Sequence, residues 1–390
     1  MINVFSKASL LGMTLLLAAG CSTLASLKPI KPPSLVEGLK VDDILNTNSR
    51  SVVTFESLMN DLSTIRVIYL GETHTSIEDH RIQQKILEGL YARNPKLILA
   101  MEMFPREAQP ILDRYSRGLL SQEDFIEEVN WDGVWGFPFE LYRPMLTFAQ
   151  EKQLQILALN APRHVVGKIA VSGLASLSPE ERSRVASDFH KDDPKHREYV
   201  RQEYELHLKG GIKDFESFFE AQLAWEETMA ETLAGRLSQL QEGEQIVVLV
   251  GKGHIVNRVG IPALTSMRAP ASFKTVVPLP VNYPDSLYDP DLADYVWITE
   301  PLEPTAHRPR LGVMLVPAAS GTGLEVQGIA PGSPAEKAGI QKGDILFEID
   351  GIPLESVEDL HKALGKDSLD HTLSIKRGKR QLSVPVTISP

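Results

Sequence analysis

One cysteine stands in the whole chain of 390 residues, so no internal disulfide can staple it. Basic residues are also short: 40 Lys and Arg face 51 Asp and Glu, a formal charge of -11. With no basic stripe anywhere, that balance argues against a phosphate-tracking nucleic-acid binder. The acidic excess reads as solvated helix surface and does not point to an acidic substrate. No Gly-x-Ser-x-Gly elbow occurs, so a Ser-His-Asp hydrolase is not supported. No His-Glu-x-x-His element occurs either, so any metal site must be assembled from distant parts of the chain. Beyond the first 20 residues, no segment is long and apolar enough to cross a membrane as a helix.

What is present is a chain 43% hydrophobic, enough for two or three cores. The lone cysteine closes an N-terminal pattern. Lys7 is followed by an almost continuously apolar run from Leu10 to Ala19, then by Leu17-Ala18-Ala19-Gly20-Cys21-Ser22. The run is too short for a permanent span and ends in small residues, as at a signal cleavage site. It resembles the lipobox of bacterial lipoproteins, which implies acylation of Cys21 and, with Ser22 after it, routing to the outer membrane. The expected parts are a signal peptide over 1–20 and an acylated tether over 21–49, with the proline-rich segment 28–34 inside it.

From about Val52 the pattern is α/β. Short apolar runs at Val67–Leu70, Leu97–Ala100, Ile156–Leu159, Ile246–Val250 and Thr275–Val277 alternate with helical stretches, which predicts a mostly parallel sheet with a helical insertion between about Pro179 and Leu240. The domain is expected over 50–282, followed by a Pro- and Asp-rich linker over 283–305.

Two strand ends look alike: Gly71-Glu72-Thr73-His74 and Gly251-Lys252-Gly253-His254. In the first, Thr75 and Glu78 have capping-box spacing, which puts His74 just before a helix. The runs ending at Ala100 and Leu159 lead into Met101-Glu102-Met103-Phe104-Pro105-Arg106 and Asn160-Ala161-Pro162-Arg163-His164. Carboxyl ends of parallel strands converge on one edge, so Glu72, His74, Glu102, Arg163, His164 and His254 are expected to face one crevice.

This ordered set, with Trp225-Glu226-Glu227-Thr228-Met229-Ala230 between its members, resembles the ChaN-like haem-binding lipoproteins of the Tiki superfamily. The resemblance implies haem as cofactor and a role in iron or haem acquisition. Its distant relatives include proposed metal-dependent proteases and hydrolases. A haem site needs an iron ligand, apolar walls and cations for the propionates. The candidates are His74, His254, Tyr199, Tyr204 and His207, with Tyr142 also open as a ligand and Arg163, Arg106 and Arg143 for the propionates. The aromatic, glycine-bearing loop Trp131–Pro138 is either a wall for a flat ligand or a packed lid. In the alternative, His74, His254 and Glu102 hold a divalent metal such as zinc or manganese, and Glu72 or Glu102 activates water.

Residues 306–390 are expected to form a second, small α+β domain. Ser333-Pro334-Ala335-Glu336 is a capping box, Gly339 a helix stop, and Asp350-Gly351 a hairpin turn. The segment resembles bacterial PDZ domains of HtrA-type proteases. That resemblance implies capture of a protein C-terminal peptide, with Leu311, Gly312, Val313 and Met314 forming the carboxylate loop and its strand. Leu360 lines the pocket or belongs to the core. The partners expected are therefore a lipid membrane at the cell envelope, a peptide terminus, and a second copy of the chain should two chains share a cofactor.

Overall fold

A computed structural model describes residues 39–207, 214–281, 291–301, 311–318, 322–329, 333–354, 357–364, 368–378 and 380–388. Cys21 and its lipobox lie outside the described residues. Among those described, no helix is long and apolar enough to cross a membrane.

The apolar runs become strands. In chain order they are β1 (Ile44–Asn46), β2 (Ser51–Val53), β3 (Val67–Glu72), β4 (Leu97–Pro105), β5 (Gln155–Asn160), β6 (Gln245–Gly251), β7 (Phe273–Pro280) and β8 (Tyr295–Thr299). They form one sheet in the order β2-β1-β8-β7-β3-β6-β4-β5. All pairings from β8 to β5 are parallel, and β1 closes the edge antiparallel to both β8 and β2. Strands β3 and β6 are buried at every residue, which is why they read as unbroken apolar runs.

Helices flank the sheet in two groups. Phe55–Leu62, Ile77–Tyr91, Gln109–Ser116 and Arg143–Glu151 share one core cluster with Val247 and Leu249 of β6. Outside that cluster, the long helix Phe215–Leu237 packs against Arg163–Ser172, Ile261–Arg268 and β5. The helix Pro194–His207 lies against the long helix as well.

Several expectations shift. Strand β1 comes from the stretch read as tether, and β8 from the stretch read as linker. Tyr295-Val296-Trp297-Ile298-Thr299 is wholly buried, so its packing outweighs the Pro- and Asp-rich composition around it. The first compact unit runs to Pro301. Strand β4 continues past Ala100 to Pro105, with a register irregularity against β5 between Met101 and Pro105; Glu102 therefore sits within a strand. The helix after β3 is capped by Ser76, not Thr75, because the Ser76 hydroxyl accepts from the Asp79 amide. After β6 the chain makes short 3-10 turns, and the helix starts only at Ile261. Ser178 and Glu181 form a reciprocal capping box at the start of the helical insertion.

The second unit is an antiparallel sheet of β9 (Val313–Pro317), β10 (Leu324–Ile329), β11 (Ile345–Ile349), β12 (Ile352–Pro353), β13 (Asp370–Arg377) and β14 (Arg380–Thr387). Its order is β14-β13-β11-β10-β9, with β12 paired to β11. The turn chemistry acts as read. Ser333 caps Pro334–Lys337, and Asp350 and Gly351 both take positive φ in the β11–β12 hairpin. Strand β9 is the sheet edge, the position an added peptide strand requires.

Candidate functional site

Strands β3, β6, β4 and β5 are consecutive neighbours, so their carboxyl ends line one edge. Glu72 is the last residue of β3 and is fully buried. Its Oε1 accepts from the Tyr142 hydroxyl at 2.7 Å and pairs with His74 Nδ1 at 2.9 Å. Its Oε2 lies 3.4 Å from His80 Nδ1. Burial works against a charge on Glu72, but His80 and the bonds from His74 and Tyr142 outweigh it and hold the carboxyl below its ordinary range. Burial and the neighbouring Glu72 push the Tyr142 phenol well up, so Tyr142 stays a neutral donor.

A second array starts from Glu102. Its Oε2 accepts from the Gly251 amide at 2.6 Å, and its Oε1 is 3.4 Å from His254 Nε2. The other ring nitrogen of His254 is 3.0 Å from Glu226 Oε1, and Glu226 Oε2 is 2.6 Å from His196 Nε2. The four side chains Glu102, His254, Glu226 and His196 form a buried line of alternating acid and base. Burial again opposes ionisation, yet Glu226 is held down at about 2 by His196 and His254. Burial lowers His196, but Glu226, with the charges of Asp193 and Glu227, outweighs it and leaves the ring above its ordinary value. Burial opposes ionisation of Glu102 too, but His254, the charge of His74 and the Gly251 amide outweigh it and hold the carboxyl below its ordinary range.

One side of His74 faces an aromatic loop. Its ring lies edge-on to Trp135 with centroids 4.8 Å apart and tilted to Phe137 at 5.0 Å. Both rings are half-buried. Trp131, by contrast, is a core residue whose indole donates to the Phe137 carbonyl at 2.7 Å. The loop thus combines a packed base at Trp131 with two partly exposed rings at Trp135 and Phe137. A Cβ placed on Gly136 of this loop would come 3.6 Å from the Arg163 guanidinium, so a cation stands beside the wall.

The structure therefore brings together Glu72, His74, Glu102 and His254, with Arg163 at the margin. Other candidates lie elsewhere. His164 is exposed and contacts Arg184. Arg106 is tied to Thr232, Thr228 and Glu231 of or beside the long helix's turns, and Arg143 pairs with Glu140 at the surface. Tyr199 and Tyr204 are buried on the helix Pro194–His207, and the Tyr204 ring packs on Phe215 and Phe218. His207 ends that helix, and its side chain is outside those described. Among the described residues, no three of His, Cys, Asp or Glu are disposed to hold a metal ion together.

Sequence reasoning missed His80, His196 and Lys252 as members of the site, and gave Glu226 no role. A signal existed for Glu226. It falls with Glu227 inside a long apolar helix, buried on most sides, where an acid needs a partner.

In the second unit, Leu311 is buried and its carbonyl accepts from the Ala335 amide at 2.9 Å. Gly312 takes φ +77°, and Val313 opens β9 half-buried. The Met314 side chain is outside those described. Leu360 is buried in the core cluster of this unit.

Comparison with known proteins agrees with both units. A family model described as haem-binding uptake, Tiki superfamily, ChaN matches residues 58–264, and a PDZ domain model matches 325–377. The solved structure of ChaN of Campylobacter jejuni, described as cofacial haem binding, is similar with a TM-score of 0.53 at 20% identity, covering 65% of this chain and 95% of that one. That likeness shows a shared fold. The protein HhoA of Synechocystis, named as a serine protease, is 36% identical over 66 residues, and human serine protease HTRA3 is 38% identical over 61. The chain covers only 17% and 13% of those two proteins.

Proposed function

The chain belongs to the ChaN family of haem-binding uptake proteins in the Tiki superfamily and carries a C-terminal PDZ domain, and we propose that it is a lipid-anchored envelope protein that binds haem in the service of iron acquisition. The observation that carries this reading is the His74 ring set against half-open Trp135 and Phe137, with Arg163 beside them. The residues present fit a haem: two flat apolar rings offer a face, and a guanidinium beside them suits a propionate. Bound haem would supply iron-centred ligand chemistry. The chain's own part is to hold the ring, exclude water from it and fix His74 through Glu72. The iron ligand is sought among His74, His254, Tyr199, Tyr204 and His207. Tyr199 and Tyr204 would have to leave their packing to reach it.

Hemin titrated into the protein is expected to give a shifted Soret band. His74→Ala and Trp135→Ala should each weaken binding about tenfold or more, as loss of supporting groups around a metal centre typically does. Tyr199→Phe and Tyr204→Phe identify a phenolate ligand by a change of spectrum. A protein that ignores hemin, loads a stoichiometric divalent metal and cleaves esters or peptides through Glu102 sinks the haem reading in favour of the hydrolase.

The anchoring is read from the lipobox alone. Cys21→Ala is expected to move the protein into the soluble envelope fraction or leave an uncleaved precursor, since several acyl chains are what make such anchoring stable. Unchanged acyl labelling in that variant rules the anchor out. The PDZ domain is proposed to dock a partner's free C-terminus against β9, and a second copy of the chain is the proposed partner in haem binding.

A further inference from the structure

We propose that Lys252 is a positioning residue: from the turn after β6 it holds, by way of Asp79, the loop after β3 that carries His74. The proposal rests on the reading of the His74 wall as a haem surface. Lysine is among the residues least often buried, and a buried one requires partners. Lys252 is buried, with its Nζ 3.3 Å from the Pro278 carbonyl and 3.7 Å from Asp79 Oδ2. Asp79 is buried too, and its other contacts reach the loop. Its Oδ2 accepts from the Thr73 amide at 2.7 Å, and its Oδ1 accepts from the Ser76 hydroxyl at 2.7 Å. Those two groups bracket His74 in the chain, and Ser76 is also the helix cap.

The backbone is arranged for this reach. Parallel pairing sets Glu72 opposite Gly251, so the two turns leave the sheet side by side. A Cβ on Gly71 would come within 2.9 Å of the Lys252 Cβ, so the first glycine of one motif makes room for the lysine of the other. The repeated Gly-x-x-His pattern is therefore one interlocked device. Strand β6 supplies the cation, the helix Ile77–Tyr91 supplies the carboxylate, and the loop between β3 and that helix is fixed by both. A lysine that merely stabilised the fold would leave the His74 loop no more affected than its surroundings.

The test is Lys252→Met in the full chain, read by amide hydrogen exchange and hemin titration together. Exchange at the Thr73 amide is expected to rise about tenfold or more while β6 keeps its protection. The hemin dissociation constant should rise about tenfold, with an altered Soret band. Unchanged Thr73 exchange overturns the proposal. So does protection lost evenly across β3 and β6, or faster exchange with unaltered hemin binding. If the unmodified protein binds no hemin, the haem reading alone has failed and the exchange measurement decides the positioning role. Should Lys252→Met fail to fold, Asp79→Asn, which keeps the shape and removes the charge, is measured in the same way and judged by the same outcomes.

Discussion

Glu226→Leu is expected to cost the first unit about 3–5 kcal/mol, the usual penalty for removing one partner of a buried charge pair. Glu226 is wholly buried on the helix Phe215–Leu237 and serves His254 on one oxygen and His196 on the other. Leucine fills much of the volume but takes the buried acid from His196 and one of the two carboxylates from His254, which keeps Glu102 on its other nitrogen. Glu226→Gln keeps a hydrogen-bonding amide and should cost less. The pH dependence carries the sign. Glu226 titrates at about 2 when folded against 4.5 ordinarily, so its contribution is present above about 4.5 and is lost as pH falls through about 2. His196 is raised above 6.5, so its contribution is full below that value and is lost as pH rises through the folded one. The pair therefore stabilises most between about pH 4.5 and about 6.5. Urea unfolding of the variant across that range should show a flatter curve on both sides. A Glu226→Leu midpoint equal to the original would show that the array contributes nothing to stability.

The parts of this site that were legible in the sequence are those whose signal is local. Parallel strands buried on both faces leave apolar runs, so β3 and β6 and the turns after them could be read directly. The PDZ unit was legible for a related reason. Its caps and hairpins depend on residues such as Ser333, Gly339 and Asp350-Gly351, whose backbone preferences are intrinsic. What stayed hidden is tertiary. The Tyr142 bond to Glu72 spans 70 positions, and no periodicity reports it. His196 lies on a helix so polar in composition that its burial depends wholly on the neighbouring long helix. Strand β8 is five residues set in Asp- and Pro-rich sequence, and its place between β7 and β1 makes it a strand. The reading of Glu102 was half local: the residue was found, but the length of β4 was set by pairing that the sequence does not announce.

Gly312→Ala is expected to disable the PDZ domain while leaving haem binding by the first unit intact. Gly312 has φ +77°, a conformation in which a side chain costs about 1–3 kcal/mol. Space is as restrictive as the dihedral. A Cβ there would fall onto the Cβ of Ser333, the residue whose hydroxyl caps Pro334–Lys337. That cap is fixed to the loop by the Ala335 amide donating to the Leu311 carbonyl, so neither side can yield without breaking the turn. Overpacking of this kind adds about 1–3 kcal/mol more. The sum is comparable to the whole stability of a domain this small. The loop is also where the proposed carboxylate capture would occur, so binding should fall even in molecules that remain folded. Labelled peptides with free and amidated termini, added to the original protein, should separate clearly, with the free terminus tighter because backbone amides hold its charge. In Gly312→Ala both should bind weakly and alike, while the Soret titration of the same sample is unchanged. Equal binding of the two peptides by the original protein would sink the carboxylate loop. Retained discrimination in the variant would show that the left-handed glycine is not what shapes it.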